Sequence, residues 1–327
     1  MRAIQVTRFG PPEVLTPVRV PDPGLGPGEA VIRVDAADVL FLDTLIRSGR
    51  AAQWFAVRPP YVPGNGVAGR VASVGDGVDK GWAGRRVIAR TGGSGGAGGY
   101  AEQAVVPAGQ LVPVPGGLDL RQAAALLHDG ATALRLIAST GVRPGERVLI
   151  TGGAGGLGLL LLQLARAAGA QVIGAARGSA KLGLIWDLGA DAVIDYSEPG
   201  WTKRVTEATG GDGPDVVFDG AGGQLGREAF QIMADGGRFS AHGSASGAFA
   251  PIGPDEAGRR GVTVRGIEQA QLRPGEHESL ARRALAELLA GRIRPVIGQL
   301  FPLARAADAH AALEARAAPG KTLLTVP

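Results

Sequence analysis

Arg147-Val148-Leu149-Ile150-Thr151-Gly152-Gly153-Ala154-Gly155-Gly156-Leu157-Gly158 reads as a buried strand, a glycine turn and the opening of a helix. Within it, Gly153-x-Gly155-x-x-Gly158 has the spacing of a dinucleotide-binding turn, and the strand before it and the helix Leu157–Ala168 after it supply the required context. Each glycine has an expected task. Gly153 permits the tight turn, Gly155 lets backbone approach a pyrophosphate, and Gly158 lets the helix pack closely. The helix start then offers unbonded N–H groups and a partial positive charge to phosphate. A glycine turn with no ligand is the competing reading, and the βα units that follow count against it.

Downstream, strands and helices alternate. Strands are expected at Gln171–Ala175, Ala192–Ile194, Asp215–Asp219, Gly237–Ser240 and Val262–Gly266, with helices at Ala180–Leu188, Trp201–Ala208 and Gly223–Met233. With Arg147–Thr151 this makes six strands, and hence an α/β, doubly wound parallel sheet. Upstream, residues 1–122 read as mostly β. Short apolar segments at Glu29–Val34, Gly69–Val74, Arg86–Ala89 and Gln103–Val106 are divided by Pro and Gly turns. Residues 121–140 read as helical. After Ile267 the alternation stops, and the tail is expected to fold back onto the first region. The expected domains are 1–122 with 269–327, and 123–268.

The second strand of the alternation bears on which dinucleotide is bound. NAD sites place an acid near its end for the ribose 2′-hydroxyl. Here the stretch is Ala175-Ala176-Arg177-Gly178-Ser179-Ala180-Lys181, without an acid. Arg177 and Lys181 suit a 2′-phosphate, so NADPH is the expected cofactor; surface cations with no ligand are the alternative.

Composition narrows the rest. The 327 residues include no cysteine, which removes disulfides, thiolate chemistry and Cys-based zinc sites. The four histidines, at 128, 242, 277 and 310, lack metal-ligand spacing. Thirty of the 34 basic residues are arginine and they are scattered at a net charge of only +4, so no nucleic-acid stripe is expected. No leader-like or membrane-length apolar run is visible, which reads as a cytoplasmic protein with no membrane partner.

The chain resembles the zinc-free quinone oxidoreductases (ζ-crystallin-like) of the medium-chain dehydrogenase/reductase superfamily. The residues that carry this are Asp43–Gly49, Val62-Pro63-Gly64, Gly69–Val78, Gly145–Gly158, Leu188–Asp191, Thr209-Gly210-Gly211 and Ala307–Thr322. The resemblance implies a GroES-like β domain built from both chain ends, a central Rossmann domain, a site in the cleft between them, and a homodimer joined through Val262–Gly266. It implies Thr132 near the nicotinamide and Gly155, Gly156 and Leu157 at the pyrophosphate. It further implies Arg177, Lys181 and Tyr196 at the 2′-phosphate, and His242, Gly243, Ser244 and Ser246 beside the nicotinamide ribose. The chain also departs from the family pattern. Leu40 and Leu45 stand where Asn and Tyr are usual, and Gly66 replaces the glutamate of Pro-Gly-x-Glu. Residues 50–58 look longer than usual and add Trp54 and Phe55, and Gly92–Gly99 forms a glycine loop near the expected substrate entrance.

An apolar cleft with Leu40, Leu45 and Trp54 suits a flat electrophile held against the nicotinamide. Hydride transfer from NADPH to a quinone or enone without metal is therefore the expected activity. Asp43, Thr132 and His128 are the polar candidates nearest the cleft. His128, in an apolar run, also reads as an ordinary core histidine, and Asp43 as a holder of Arg47 or of a backbone turn. A stand-alone enoyl or 2-alkenal reductase, a pathway tailoring reductase, and an NADPH-binding protein with little redox activity are the other readings.

Overall fold

The computed structural model describes residues 1–51, 54–92, 98–273 and 275–326. The chain divides into two compact units, one of Met1–His128, Gly275–Leu289 and Pro295–Pro327, the other of Asp129–Pro274 and Ala290–Arg294. Most of the expected glycine loop at 92–99 lies outside the described residues.

The first unit opens with β1 (Arg2–Val6), antiparallel to β2 (Leu15–Arg19). Then come β3 (Glu29–Val39), α1 (Phe41–Arg47), β4 (Gly66–Val74), β5 (Arg86–Arg90), β6 (Gln103–Pro107), β7 (Val112–Pro113) and α2 (Leu120–Leu127). The β-rich reading omitted α1. Asp43, in the first turn of α1, accepts the Leu40 N–H at 2.9 Å and so satisfies a donor the helix start would leave open.

The second unit begins with α3 (Asp129–Thr140). It continues β8 (Arg147–Thr151), α4 (Gly156–Ala167), β9 (Gln171–Ala176), α5 (Ser179–Asp187), β10 (Ala192–Asp195), α6 (Trp201–Ala208), β11 (Val216–Asp219), α7 (Gly223–Gln231), β12 (Arg238–Ala241), α8 (Pro254–Arg259), β13 (Thr263–Gly266) and α9 (Ile267–Ala270). The strands lie in the order β10-β9-β8-β11-β12-β13, all parallel. That is the doubly wound Rossmann order, with its switch point between β8 and β11. Leu149, Ile173, Val217, Phe230 and Phe239 lie in the core around this sheet.

The chain then returns to the first unit through α10 (Glu276–Leu289), β14 (Ile297–Pro302), α11 (Ala306–Glu314) and β15 (Lys321–Thr325). β15 pairs antiparallel with β3 and joins β14 to one sheet with β3, β4, β5 and β7. The helical stretch expected over 121–140 is two helices broken at His128. The border between units therefore falls at 128/129 and not at 122/123, because α2 packs on β3, β4, β5 and β15.

A buried polar chain ties the first unit together. Asp43 accepts hydrogen bonds from Asn65 Nδ2 and, at 3.1 Å, from the Tyr100 hydroxyl, which also lies 3.1 Å from His310 Nε2. Burial pushes the His310 imidazole down to about 3, so it is neutral and donates from Nε2 to Tyr100. Burial pushes the Asp43 carboxyl up to about 6, against the stabilising Leu40 N–H. The expected Arg47 contact does not form; Arg47 pairs with Glu314 instead.

Asp43 therefore holds its proton more tightly folded than unfolded. Its contribution to stability is complete below its ordinary value of 3.8 and is lost as pH rises through about 6. An Asp43→Asn variant has no such titration. Urea unfolding of both proteins should show the stability difference moving toward the variant, by up to about 3 kcal/mol, between pH 4 and pH 7. A difference independent of pH would contradict this.

Candidate functional site

The sequence-predicted residues fall into two groups, one in each unit. In the second unit they gather at the carboxyl ends of β8, β9, β10 and β12. Gly152, with φ +65°, makes the left-handed step of the turn after β8. The sequence reading gave that task to Gly153, whose φ is not positive. A Cβ on Gly158 would lie 2.8 Å from the carbonyl oxygens of both Gly152 and Gly153, so α4 can seat against the turn only with glycine there. Gly155 caps α4 without a side-chain bond and is exposed. The first turn leaves the Gly156, Leu157 and Gly158 amides without intrahelical acceptors. This cradle, open on its outer side and lined by N–H groups, fits a pyrophosphate.

Two residues missed by the sequence reading hold the switch point. Thr151 and Asp219 are register partners at the ends of β8 and β11, and both are buried. Thr151 Oγ1 donates to Asp219 Oδ1 at 2.6 Å, and the Ala221 and Gly222 amides donate to the same oxygen at 3.1 and 3.0 Å. Burial pushes the Asp219 carboxyl up, and these donors pull it back. The loop after β12 presses on the same point: a Cβ at Gly243 would meet the Gly220 Cα at 2.4 Å. His242 Nδ1 lies 3.2 Å from both the hydroxyl and the carbonyl of Ser240. Burial holds the His242 imidazole down at about 4, so it is neutral near pH 7. The signal in the sequence was a polar residue closing an otherwise apolar strand, Asp219 after Val216-Val217-Phe218 and Thr151 after Val148-Leu149-Ile150.

At the carboxyl end of β9, Arg177 is exposed, and Lys181 and Tyr196, farther along the chain, are half-buried. Tyr196 stands edge-on to Trp201, with ring centroids 6.5 Å apart. An acid does stand nearby: Asp195, at the end of β10. It accepts the Gly178 amide at 2.8 Å on one oxygen and the Ser197 amide at 2.8 Å on the other. Burial opposes its ionisation, but a bond from the Ser197 hydroxyl, the two amides and the Arg177 charge hold it below the usual range. With both oxygens committed to backbone, Asp195 shapes the loop under Arg177.

In the first unit, Leu40 and Leu45 are half-buried, while Trp54 is 69% exposed, so the expected apolar wall rests on the two leucines. Asp43 is enclosed in its hydrogen-bond chain. His128 retains some exposure, and its Nδ1 lies 2.8 Å from Oδ2 of the fully buried Asp38. Thr132, half-buried in the first turn of α3, belongs to the second unit. Among the described residues, no three His, Cys, Asp or Glu side chains are placed to hold a metal ion, so the donor set does not form a zinc site. Nor is any described helix long and apolar enough to cross a membrane.

A doubly wound sheet with a glycine cradle at its switch point, joined in one chain to an antiparallel β unit built from both ends, defines a medium-chain dehydrogenase/reductase. Residues 26–116 match the family described as alcohol dehydrogenase GroES-like domain, and 156–285 the family described as zinc-binding dehydrogenase. A quinone oxidoreductase from Rattus norvegicus is 35% identical over 95% of this chain and 93% of its own length. An Escherichia coli quinone oxidoreductase solved with NADPH has a TM-score of 0.90 at 29% identity, covering 99% of this chain and 100% of that one. A structure described as an NAD-dependent alcohol dehydrogenase has a TM-score of 0.89 at 31% identity, with both chains fully covered. The chain belongs to the quinone oxidoreductase family of this superfamily.

Asp219→Ala removes the acceptor of one hydroxyl and two amides in a buried place. It should cost about 2–4 kcal/mol in urea unfolding, with Asp219→Asn, which keeps one acceptor oxygen, losing less than half as much. Equal losses would mean that the shape of the side chain, and not its hydrogen bonds, holds the switch point.

Proposed function

We propose that the protein is an NADPH-dependent reductase of quinones and related enones that works without zinc. The observation that carries this reading is the cradle at the switch point with Arg177 exposed beside it and no carboxylate on β9. The quinone oxidoreductases among its relatives support it. The overall fold does not select the cofactor, since an NAD-dependent alcohol dehydrogenase shares it.

In this reading Gly156 and Leu157 hold the pyrophosphate through their amides, while Gly155, whose own amide is bonded to the Gly152 carbonyl, gives the phosphate close approach to the backbone. Arg177, Lys181 and Tyr196 receive the 2′-phosphate, and charge-assisted bonds of this kind contribute about 1.5–3 kcal/mol each before solvent screening. His242, Gly243, Ser244 and Ser246 line the nicotinamide ribose, with His242 neutral and so available as a hydrogen-bonding group without added charge. Thr132 stands at the nicotinamide, and Leu40 and Leu45 offer apolar surface to a flat substrate. When bound, NADPH supplies a hydride from its nicotinamide C4. A quinone is electrophilic without Lewis-acid help, so holding it at near-attack distance is the main requirement.

The test is NADPH oxidation with 9,10-phenanthrenequinone, run beside a 2-alkenal and beside NADH. Turnover of the quinone, at least tenfold preference for NADPH, and no loss after dialysis against a chelator are expected. Loss of that preference in Arg177→Ala/Lys181→Ala should accompany unchanged NADH affinity. Faster turnover of the alkenal would move the substrate class to enals, and tight NADPH binding without any turnover would leave a binding protein.

We also infer a homodimer formed by edge pairing of β13, because β13 ends the sheet and Val264 is exposed on it. Light scattering should give twice the chain mass, reduced to one by Val264→Pro, which removes an edge donor.

A further inference from the structure

Three features of the first unit converge on His128. The carboxylate of Asp38, on β3, is fully buried and lies 2.8 Å through Oδ2 from His128 Nδ1. The same oxygen is 3.7 Å from Lys321 Nζ, on β15, itself only 5% exposed. And Gly66 leaves room for the arrangement: a Cβ there would lie 2.4 Å from Leu127 Cδ2, 2.8 Å from His128 Cε1 and 3.0 Å from Asp38 Oδ1. The imidazole therefore occupies, with Asp38, the space that any side chain at 66 would need. Gly66 stands where the family pattern has a glutamate, and Asp38 lies outside the motifs of the sequence.

A buried carboxylate that neither caps a helix nor bonds a backbone amide needs a reason. Asp38 has its Oδ2 on two cationic or potentially cationic side chains and its Oδ1 without a partner. Burial would push the Asp38 carboxyl up, yet His128 and Lys321 hold it below its usual range. It is a fixed negative charge behind the ring. As a carboxylate it accepts only, so Nδ1 must carry a proton. That commits the ring. In the neutral form Nε2 is an acceptor, and in the imidazolium form Nε2–H is the proton that can leave.

We propose that Asp38 is a positioning residue for His128, and that Nε2 of His128 delivers the proton that completes reduction of the substrate. This rests on the reductase reading above. When a hydride has added to a quinone or enone, the displaced electron pair settles on a carbonyl oxygen. That oxyanion takes the Nε2 proton of the imidazolium; the N–H bond breaks, the new O–H bond forms, and the ring, now neutral and still bonded to Asp38 through Nδ1–H, recovers a proton from solvent. One hydride and one proton enter, and the substrate leaves reduced by two electrons.

The surroundings suit the role. His277, on α10, stacks obliquely on His128 with centroids 5.3 Å apart. Burial, followed by the His128 and Arg90 charges, pushes its imidazole down to about 3, so His277 is neutral and does not compete for Asp38. Lys321 and Arg90 are the cations near the pair, and Asp43, on α1, is the second carboxyl close enough to affect it. Asp43 itself is closed off by Asn65, Tyr100 and the Leu40 amide, which leaves His128 as the partly exposed member of the group.

The experiment has two arms. Imidazole ¹⁵N NMR of the protein alone, without cofactor or substrate, reads the tautomer. Neutral His128 should be protonated at Nδ1 in the wild type and lose that preference in Asp38→Asn, whose amide can donate as well as accept. A wild-type ring protonated at Nε2 in its neutral form overturns the proposal. Kinetics form the second arm, with wild-type turnover of quinone as the control for the reductase reading itself. His128→Asn keeps a donor toward Asp38 but has no group at the Nε2 position. It should bind NADPH as the wild type does and lose at least tenfold in kcat, within the usual range for general acid catalysis, with KM little changed. Asp38→Asn should fall between the two and show a larger solvent isotope effect than the wild type. Full kcat in His128→Asn, in a wild type that does reduce quinones, overturns the proton role. A wild type that reduces none overturns the reductase reading, and the NMR arm still decides the positioning role.

Discussion

Thr151 and Asp219 end two neighbouring parallel strands, and the bond between them closes the point from which the chain departs toward opposite faces of the sheet. Every doubly wound sheet opens a gap there. In this protein one carboxylate oxygen collects a hydroxyl and two amides across that gap. The position of the Gly220–Gly222 loop follows from it. The glycine at 243 then lets the next loop lie directly on Gly220. The end of β8, from which the glycine turn departs, and the loop carrying His242 are therefore anchored at the same small knot of polar atoms.

The first unit solves a different problem. Its sheet and helices bury Asp38, Asp43, Arg47, His310 and Lys321, groups that are rarely enclosed unless partnered. The partners come from distant parts of the chain. Asn65 and Tyr100 reach Asp43, Glu314 reaches Arg47, and Lys321 reaches Asp38. The C-terminal strand and helix are thus more than a covering layer. Without β15 and α11, Asp38 would lose its lysine and Tyr100 its contact with His310.

Much of the second unit was legible because its periods are strong. The six strands, their parallel order and the helix after the glycine turn follow from apolar runs punctuated by glycine. The exact turn residue was not legible, since Gly152 and Gly153 are adjacent and only backbone geometry separates them. The first unit was harder. Helix α1 is seven residues long and sits in a β-rich stretch, and what permits it is a single carboxylate bonding back to Leu40. Asp38 was invisible for a related reason. It lies within Val34-Asp35-Ala36-Ala37-Asp38-Val39, where nothing in the pattern distinguishes an exposed acid from a buried one. Its partners are 90 residues away at His128 and farther still at Lys321. Asp195 was likewise outside the span in which an acid was sought, although its strand adjoins β9.

Gly66 has a consequence for how this chain can change. The family pattern set against the sequence above has a glutamate at that place. Here a glutamate side chain would have no room, because Leu127, His128 and Asp38 already fill its volume. The substitution becomes tolerable only after the ring or the aspartate has been replaced, and each of those replacements alone strands a buried partner. Positions 38, 66 and 128 are thus interdependent: whether a side chain can stand at one is decided by what stands at the other two.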